Sequence, residues 1–231
     1  MDLINEEIES LNIKDYKIIQ SSDLYRFTSD AILLSRFAKA NDNEVVADIC
    51  SGSGIVGLHF FALNEEKVKS VTLFEMQKSL SDMSKRSVKL NALEDKFTVE
   101  NCKIQDIDES FFGKFSLVLC NPPYKKQNSG YVSLREDIAV CKHEITVNIE
   151  DIAKSASKLL KRGGRICLCN KCERLLDVLS AFEKFGLCTT RLAFLSGEKD
   201  KPPYLFFIEA VNKIKRPFKV EKPIINDVVR L

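Results

Sequence analysis

The run Phe115-Ser116-Leu117-Val118-Leu119-Cys120 reads as a buried β-strand, and Asn121-Pro122-Pro123-Tyr124 ends it abruptly. Neither proline has an N–H to give to a sheet ladder, so the strand must stop at Asn121. An amide side chain, a proline carbonyl and an aromatic ring are thereby set at the carboxyl end of a strand, where open α/β sheets hold their ligands. The Asn121 amide oxygen and the Pro122 carbonyl are two acceptors, suited to an exocyclic amine with two N–H donors. Tyr124 offers a face on which a planar base can stack. Two prolines alone would mark only a turn; an Asn before them and a Tyr after point to chemistry.

Strands and helices alternate around this point. Glu44–Ile49 reads as a strand that runs through a glycine loop into a helix over Ile55–Leu63. Ser70–Phe74 is a second strand, followed by a helix over Lys78–Leu90, and Lys96–Glu100 is a third. Downstream, a helix beginning at Asn148 or Glu150 and ending near Lys161 is turned by Gly163-Gly164 into the strand Arg165–Asn170. A helix over Glu173–Phe185 stops at Gly186, and Thr189–Leu195 and Tyr204–Val211 close the chain as a hairpin. Ahead of all this, Tyr16–Gln20 and Leu24–Phe27 read as two short strands, and Ser29 or Asp30 caps a helix through Ala40. The expected architecture is an α/β fold with a Rossmann-like, seven-stranded, mostly parallel sheet, one antiparallel strand and helices on both faces. Its expected bounds are a short N-terminal β appendage over 1–28, the main domain over 29–212 and a basic, irregular tail over 213–231.

Composition excludes more than it assigns. A net charge of +2 over 231 residues is well short of a dedicated nucleic-acid binder. Eight cysteines in no framework, several within apolar runs, suit reduced thiols and a cytoplasmic setting. No segment approaches the about 18 apolar residues of a membrane span, and no obligate protein partner is evident. Cys167, Cys169 and Cys172 resemble half of a metal site, but no second cluster accompanies them, so packing is expected and no metal.

The glycine loop carries the cofactor signal. Gly52-Ser53-Gly54-Ile55-Val56-Gly57 fits a dinucleotide-binding pattern, with Glu75 about twenty residues on. An NAD-dependent oxidoreductase is therefore a rival on this loop alone. However, Asp48 precedes the glycines in a D-x-x-x-G-x-G arrangement that resembles S-adenosylmethionine enzymes, and Asn-Pro-Pro-Tyr resembles the signature of their amino-methyltransferases. The resemblance implies S-adenosylmethionine as cofactor, bound by Asp48, Ser51, Gly52, Gly54, Glu75 and Asn121, with Glu75 on the ribose hydroxyls and Asp48 near the methionine ammonium. It implies Asn121, Pro122, Pro123 and Tyr124 as the catalytic loop. Cys50 stands where many such enzymes carry Gly. At the end of the third strand, where an Asp commonly holds the adenine amine, Lys103 and Asp106 are both open.

The substrate is narrowed by resemblance over nearly the whole chain. Phe27-Thr28-Ser29-Asp30-Ala31-Ile32-Leu33-Leu34, Cys141-Lys142-His143-Glu144 and Pro202-Pro203-Tyr204-Leu205-Phe206-Phe207 are similar to segments of the bacterial tRNA1(Val) adenine-N6 methyltransferase family. That implies a tRNA partner, with valine acceptance, and N6-methyladenosine as product. Tyr124, Lys125, Lys126 and His143 are then substrate-binding candidates, the lysines through phosphates. Lys213, Lys215, Arg216, Lys219 and Lys222 fit either a phosphate-binding tail or a solvated face. Phe27 and Asp30 fit helix packing and capping as well as substrate contact. Amino-methyltransferases of DNA, ribosomal RNA or protein glutamine share the motif, and a non-catalytic RNA-binding module could share the fold.

Overall fold

The computed structural model describes residues 5–24, 26–123 and 147–226. Its core is a mostly parallel sheet built from β3 (Glu44–Ile49), β4 (Val68–Phe74), β5 (Phe97–Glu100), β6 (Phe115–Cys120), β7 (Leu160–Lys171), β8 (Leu187–Ser196) and β9 (Leu205–Asn212). These seven lie in the order β8-β9-β7-β6-β3-β4-β5. Only β9 runs against its neighbours, pairing antiparallel with both β7 and β8. Every residue of β6 and β9 is buried, Ser116, Glu209 and Asn212 included, as expected of strands covered on both faces.

Alternate residues of the strands feed two cores. On one face α1 (Ser29–Phe37), α2 (Ile55–Leu63) and α3 (Lys78–Leu90) cover Val46, Leu73, Leu117, Leu119 and Phe207. On the other, α4 (Ile149–Leu159) and α5 (Leu175–Lys184) cover Ala47, Phe74, Val118, Ile166 and Ile208. The expected α/β class, sheet and two-sided helix layers are those of the structure.

Local details differ from expectation. The N-terminal hairpin pairs β1 (Glu6–Ser10) with β2 (Lys17–Ser21), so the partner of β2 precedes it, and Leu24, Arg26 and Phe27 are not strand. Contacts distant in sequence set that choice. Asn91 bonds both Lys17 N–H and Lys17 C=O (2.8 and 2.7 Å), Ser87 Oγ accepts from Ile19 N–H, and Arg86 makes two 2.7 Å bonds to Glu6. At α1 the N-cap residue is Thr28, whose hydroxyl donates to Asp30 rather than capping, and the helix ends at Phe37 instead of Ala40. Asn148 caps α4, accepting from Asp151 N–H at 2.8 Å.

Gly163-Gly164 does not begin β7 but sits inside it, as a bulge between the pairs Phe115↔Leu160 and Leu117↔Arg165. Gly163 has φ +80°, a conformation that favours glycine, and a Cβ on Gly164 would lie a tight 3.0 Å from the Phe115 carbonyl. The tail is also less irregular than expected: β10 (Lys219–Val220) and β11 (Ile224–Ile225) lie parallel along the edge strand β8.

Candidate active site

The carboxyl ends of β3, β4, β5 and β6 open into one cleft of about 470 Å³, within the roughly 300–1,000 Å³ usual for small-molecule sites. Its lining includes Ser51, Gly52 and Ser53 after β3, Glu75, Met76 and Gln77 after β4, and Asn121, Pro122 and Pro123 after β6. Cys102 and Ile104 line it after β5, and Lys171 at the end of β7. The segment after β2 closes another side with Ser22, Asp23, Leu24 and Phe27. It is tied to the loop by Gln20, whose Nε2 donates to Ser53 Oγ (2.9 Å) and whose Oε1 accepts from Phe27 N–H (3.2 Å). Gln20 was missed in the sequence. Nothing in the sequence of β2, Lys17-Ile18-Ile19-Gln20-Ser21, marks it; its near-complete burial shows only in the structure.

The β3–α2 turn depends on its glycines in different ways. Gly52, at φ +57°, has nothing within 4 Å of a built Cβ, so its backbone faces open space in the cleft. Gly54, at φ +82°, does not line the cleft; a Cβ there would meet Leu73 Cδ1 at 2.8 Å. Its work is to let α2 start close to β4.

Asp48 does not line the cleft either. It is fully buried, and its Oδ2 accepts from Gly57 N–H at 2.9 Å, bracing the first turn of α2. Its Oδ1 has no hydrogen-bond partner among the described residues. Burial pushes its carboxyl up to about 8, opposed by the Gly57 bond and reinforced by the nearby Glu75 charge. In this structure the Asp48 side chain braces α2 and is not among the residues that line the cleft.

Glu75 is held differently. Its Oε2 accepts from Gly52 N–H and its Oε1 from Gln77 N–H, both at 2.8 Å. Burial raises its carboxyl above the usual range, while the Gln77, Gly52 and Met76 amides pull it down. A carboxylate has lone pairs beyond those used here, so it can still accept hydroxyl donors from a ligand. At the end of β5, neither Lys103 nor Asp106 borders the cleft. A turn of 3₁₀ helix over Ile104–Asp106 puts Cys102 and Ile104 there instead. Burial pushes the Cys102 thiol up to about 11, helped by the Glu100, Asp106 and Glu75 charges, so it is neutral at physiological pH.

Asn121 is half-buried at the mouth of β6, and its Oδ1 accepts a hydrogen bond from the Cys169 thiol of β7 at 3.0 Å. Cys169 reads in the sequence as strand packing, and nothing in its spacing marks that contact. Cys167, two residues earlier on the same strand face, lies 3.7 Å from Glu209 Oε2. Ser51, Gly52, Glu75, Asn121, Pro122 and Pro123 thus share one cleft, whereas Asp48 and Gly54 stand behind it. Tyr124, Lys125, Lys126 and His143 lie outside the described residues.

With this geometry in view, the similarities to other proteins are consistent. The sequence model of the family described as "Methyltransferase small domain" matches residues 27–190. Two relatives are named tRNA1(Val) (adenine(37)-N6)-methyltransferase. That of Trichodesmium erythraeum is 22% identical, covering 77% of this chain and 74% of its own. That of Porphyromonas gingivalis is 24% identical, covering 83% and 76%. Among solved structures, a predicted O-methyltransferase from Agrobacterium tumefaciens superposes with a TM-score of 0.66 at 18% identity, over 85% of this chain and 87% of that one. A geranyl diphosphate C-methyltransferase from Streptomyces coelicolor, solved with S-adenosyl-L-homocysteine, gives 0.58 at 14% identity, over 80% and 75%. No helix among the described residues is long and apolar enough to cross a membrane. The family match spans well over half of the chain and takes in the glycine loop, Glu75 and the Asn-Pro-Pro turn; the protein belongs to the methyltransferase small domain family.

Proposed function

We propose that this methyltransferase uses S-adenosylmethionine to methylate the exocyclic N6 of an adenosine in tRNA, at position 37 beside the anticodon of tRNA1(Val), as its relatives are named. The observation that carries the reading is the meeting of Gly52, Glu75 and Asn121-Pro122-Pro123 in one cleft. The cofactor fits the residues present: a buried carboxylate with acceptor capacity, and a glycine backbone open to the cleft. When bound, it supplies an electrophilic methyl group on a sulfonium.

The chain's own groups do the rest. Glu75 would hold the cofactor's ribose hydroxyls, and the Ser51–Gly52 backbone would hold its methionine part. Cys102 and Ile104 border the adenine in place of a carboxylate. Asn121 Oδ1 and the Pro122 carbonyl accept the two amine hydrogens of the target base, drawing the nitrogen lone pair out of conjugation with the ring. Tyr124 stacks on that base after it leaves its loop, which is cheap where bases are already unpaired. Most of the acceleration is positioning and fixed dipoles, and the proton leaves to water after transfer. Lys125, Lys126, His143 and Lys171 meet the RNA around the target nucleotide, a partner met in the cytoplasm.

The test offers labelled S-adenosylmethionine to the enzyme with unmodified tRNA, ribosomal RNA, DNA or release-factor protein in parallel. Label in tRNA as N6-methyladenosine is expected. Label in DNA, ribosomal RNA or protein glutamine instead would replace the substrate and keep the chemistry, and no cofactor binding at all would leave an RNA-binding module.

A further inference from the structure

We propose that Tyr204 is a stacking platform at the rim of the cleft, and that it takes an unpaired RNA base flanking the target adenosine. The inference rests on the RNA substrate proposed above and adds a contact to it. Tyr204 immediately precedes β9, and the pair Lys171↔Leu205 sets it at the same end of the sheet as Lys171, which lines the cleft. In the strand order, β7 alone separates β9 from β6, on the side of β6 away from Glu75. Two steps of strand spacing are about 10 Å. Cys120 pairs with Leu168, three residues before Lys171, so Tyr204 also stands further out from the sheet than Asn121. A base on Tyr204 is therefore a neighbour of the one held at Asn121, not the same one.

The residue is tied at both ends. Its backbone N–H donates to the Leu195 carbonyl at 2.9 Å, and its own carbonyl accepts from Cys172 N–H at 3.1 Å. Its hydroxyl accepts from Asn226 Nδ2 at 2.9 Å, and the same amide nitrogen donates to Ser29 Oγ at 3.2 Å. Asn226 directly follows β11, so the segment that runs along β8 ends by tying the phenol to the first residue of α1. Phe27, two residues before Ser29, lines the cleft, so Tyr204 is joined to the cleft lining through α1 as well as through β7. Despite these ties it is 42% exposed. Tyrosine offers a large contact area at a low cost in conformational entropy, and a ring already tied at both ends has less still to lose. Every base has a π-face, so such a ring accepts any unpaired base. Lys171 beside it can meet a phosphate of the same strand.

The chain has no tryptophan, so in Tyr204→Trp the indole emission reports this position alone. The full-length variant is titrated with the unmodified anticodon stem-loop of tRNA1(Val), end-labelled so that its anisotropy reports binding. Quenching of the emission is expected, with the same concentration dependence as the anisotropy. Emission that stays unmoved once the RNA is bound would overturn the proposal, as would emission moved by an acceptor protein and not by RNA. In parallel, Tyr204→Ala is expected to weaken stem-loop binding about tenfold, as for the loss of one base–aromatic stack, with S-adenosylhomocysteine affinity unchanged. Tyr204→Phe keeps the ring and is expected to bind the RNA within about threefold of the parent. Parent-level RNA affinity in the alanine variant, or a phenylalanine variant as weak as alanine, would each overturn the platform; should alanine fail to fold, the tryptophan emission decides alone. The stem-loop titration needs no turnover. Quenching without any methylated adenosine would remove the proposed function and keep the platform, whereas methylation with unmoved emission would do the reverse.

Discussion

Asp48 and Glu75 stand at the carboxyl ends of neighbouring parallel strands, and they are held in different ways. Asp48 lies one residue inside the end of β3, points toward α2 and receives one backbone N–H. With so few donors against complete burial, its carboxyl is pushed up to about 8 and is mostly protonated at neutral pH. Glu75 follows the last residue of β4, borders the cleft and takes the Gly52 and Gln77 amides. A motif acid beside a glycine loop is therefore not a ligand contact by virtue of its spacing. The direction of its side chain and the number of N–H groups it collects decide whether it braces the fold or faces a ligand.

The largest expected effect comes from breaking this pair apart. Glu75→Ala should weaken S-adenosylmethionine binding by about a hundredfold, through lost charge-assisted hydrogen bonds. Asp48→Asn should change it by no more than roughly threefold, because Asn can still accept from Gly57 N–H. Calorimetric titration of both variants checks this, and equal losses would mean that the two acids share one role.

A second comparison sets Gly57 against Gly52. A Cβ at Gly57 would come within 2.7 Å of Leu73 Cδ2 and 3.2 Å of Asp48 Oδ2. Gly57→Ala should therefore cost about 1–3 kcal/mol of stability by overpacking, read as a lower denaturant midpoint, while folded enzyme still binds cofactor. At Gly52, where φ is +57° and a side chain would enter the open cleft, alanine should cost about 1–2 kcal/mol of backbone strain and lower cofactor affinity as well.

The smallest effect is a pH slope, and its sign follows from the direction of each shift. Between its ordinary value of 3.8 and about 8, folded Asp48 keeps a proton that the unfolded chain has released, so stability falls as pH rises. Buried His59 works the other way: its imidazole is lowered from 6.5 to about 4, so stability falls as pH drops through that range. The two oppose each other at acid pH, and Asp48 acts without His59 between pH 6.5 and 8. Its slope there is at most about 1.4 kcal/mol per pH unit. Urea melts of the cofactor-free protein should lose this decline in Asp48→Asn.

The parts of the fold legible in the sequence are those that local chemistry dictates. The apolar β3 and β6, the glycine turn and the Asn-Pro-Pro stop all follow from neighbours in the chain. The illegible parts depend on contacts from far away. Glu6–Ser10 is too polar to suggest a strand, and it forms one against β2, with Arg86 of α3 gripping Glu6. The Gly163-Gly164 bulge is set by the Phe115 carbonyl of the next strand. At the site, Glu75 and Asn121 could be named because their residue types fit the task. Cys102 and Cys169 could not, since a cysteine looks the same in sequence whether it packs in a core or borders a cleft.

The central claim is that the Asn121 turn performs the transfer while the Glu75 side holds the cofactor, and one measurement tests it most directly. Parent enzyme and Asn121→Ala are each incubated with labelled S-adenosylmethionine and unmodified tRNA1(Val), the tRNA is digested, and its nucleosides are identified by mass. The account predicts N6-methyladenosine from the parent and none from Asn121→Ala, with both proteins binding the cofactor equally to within roughly threefold, since Asn121 acts on the amine. Labelled N6-methyladenosine from Asn121→Ala at the parent rate would contradict it.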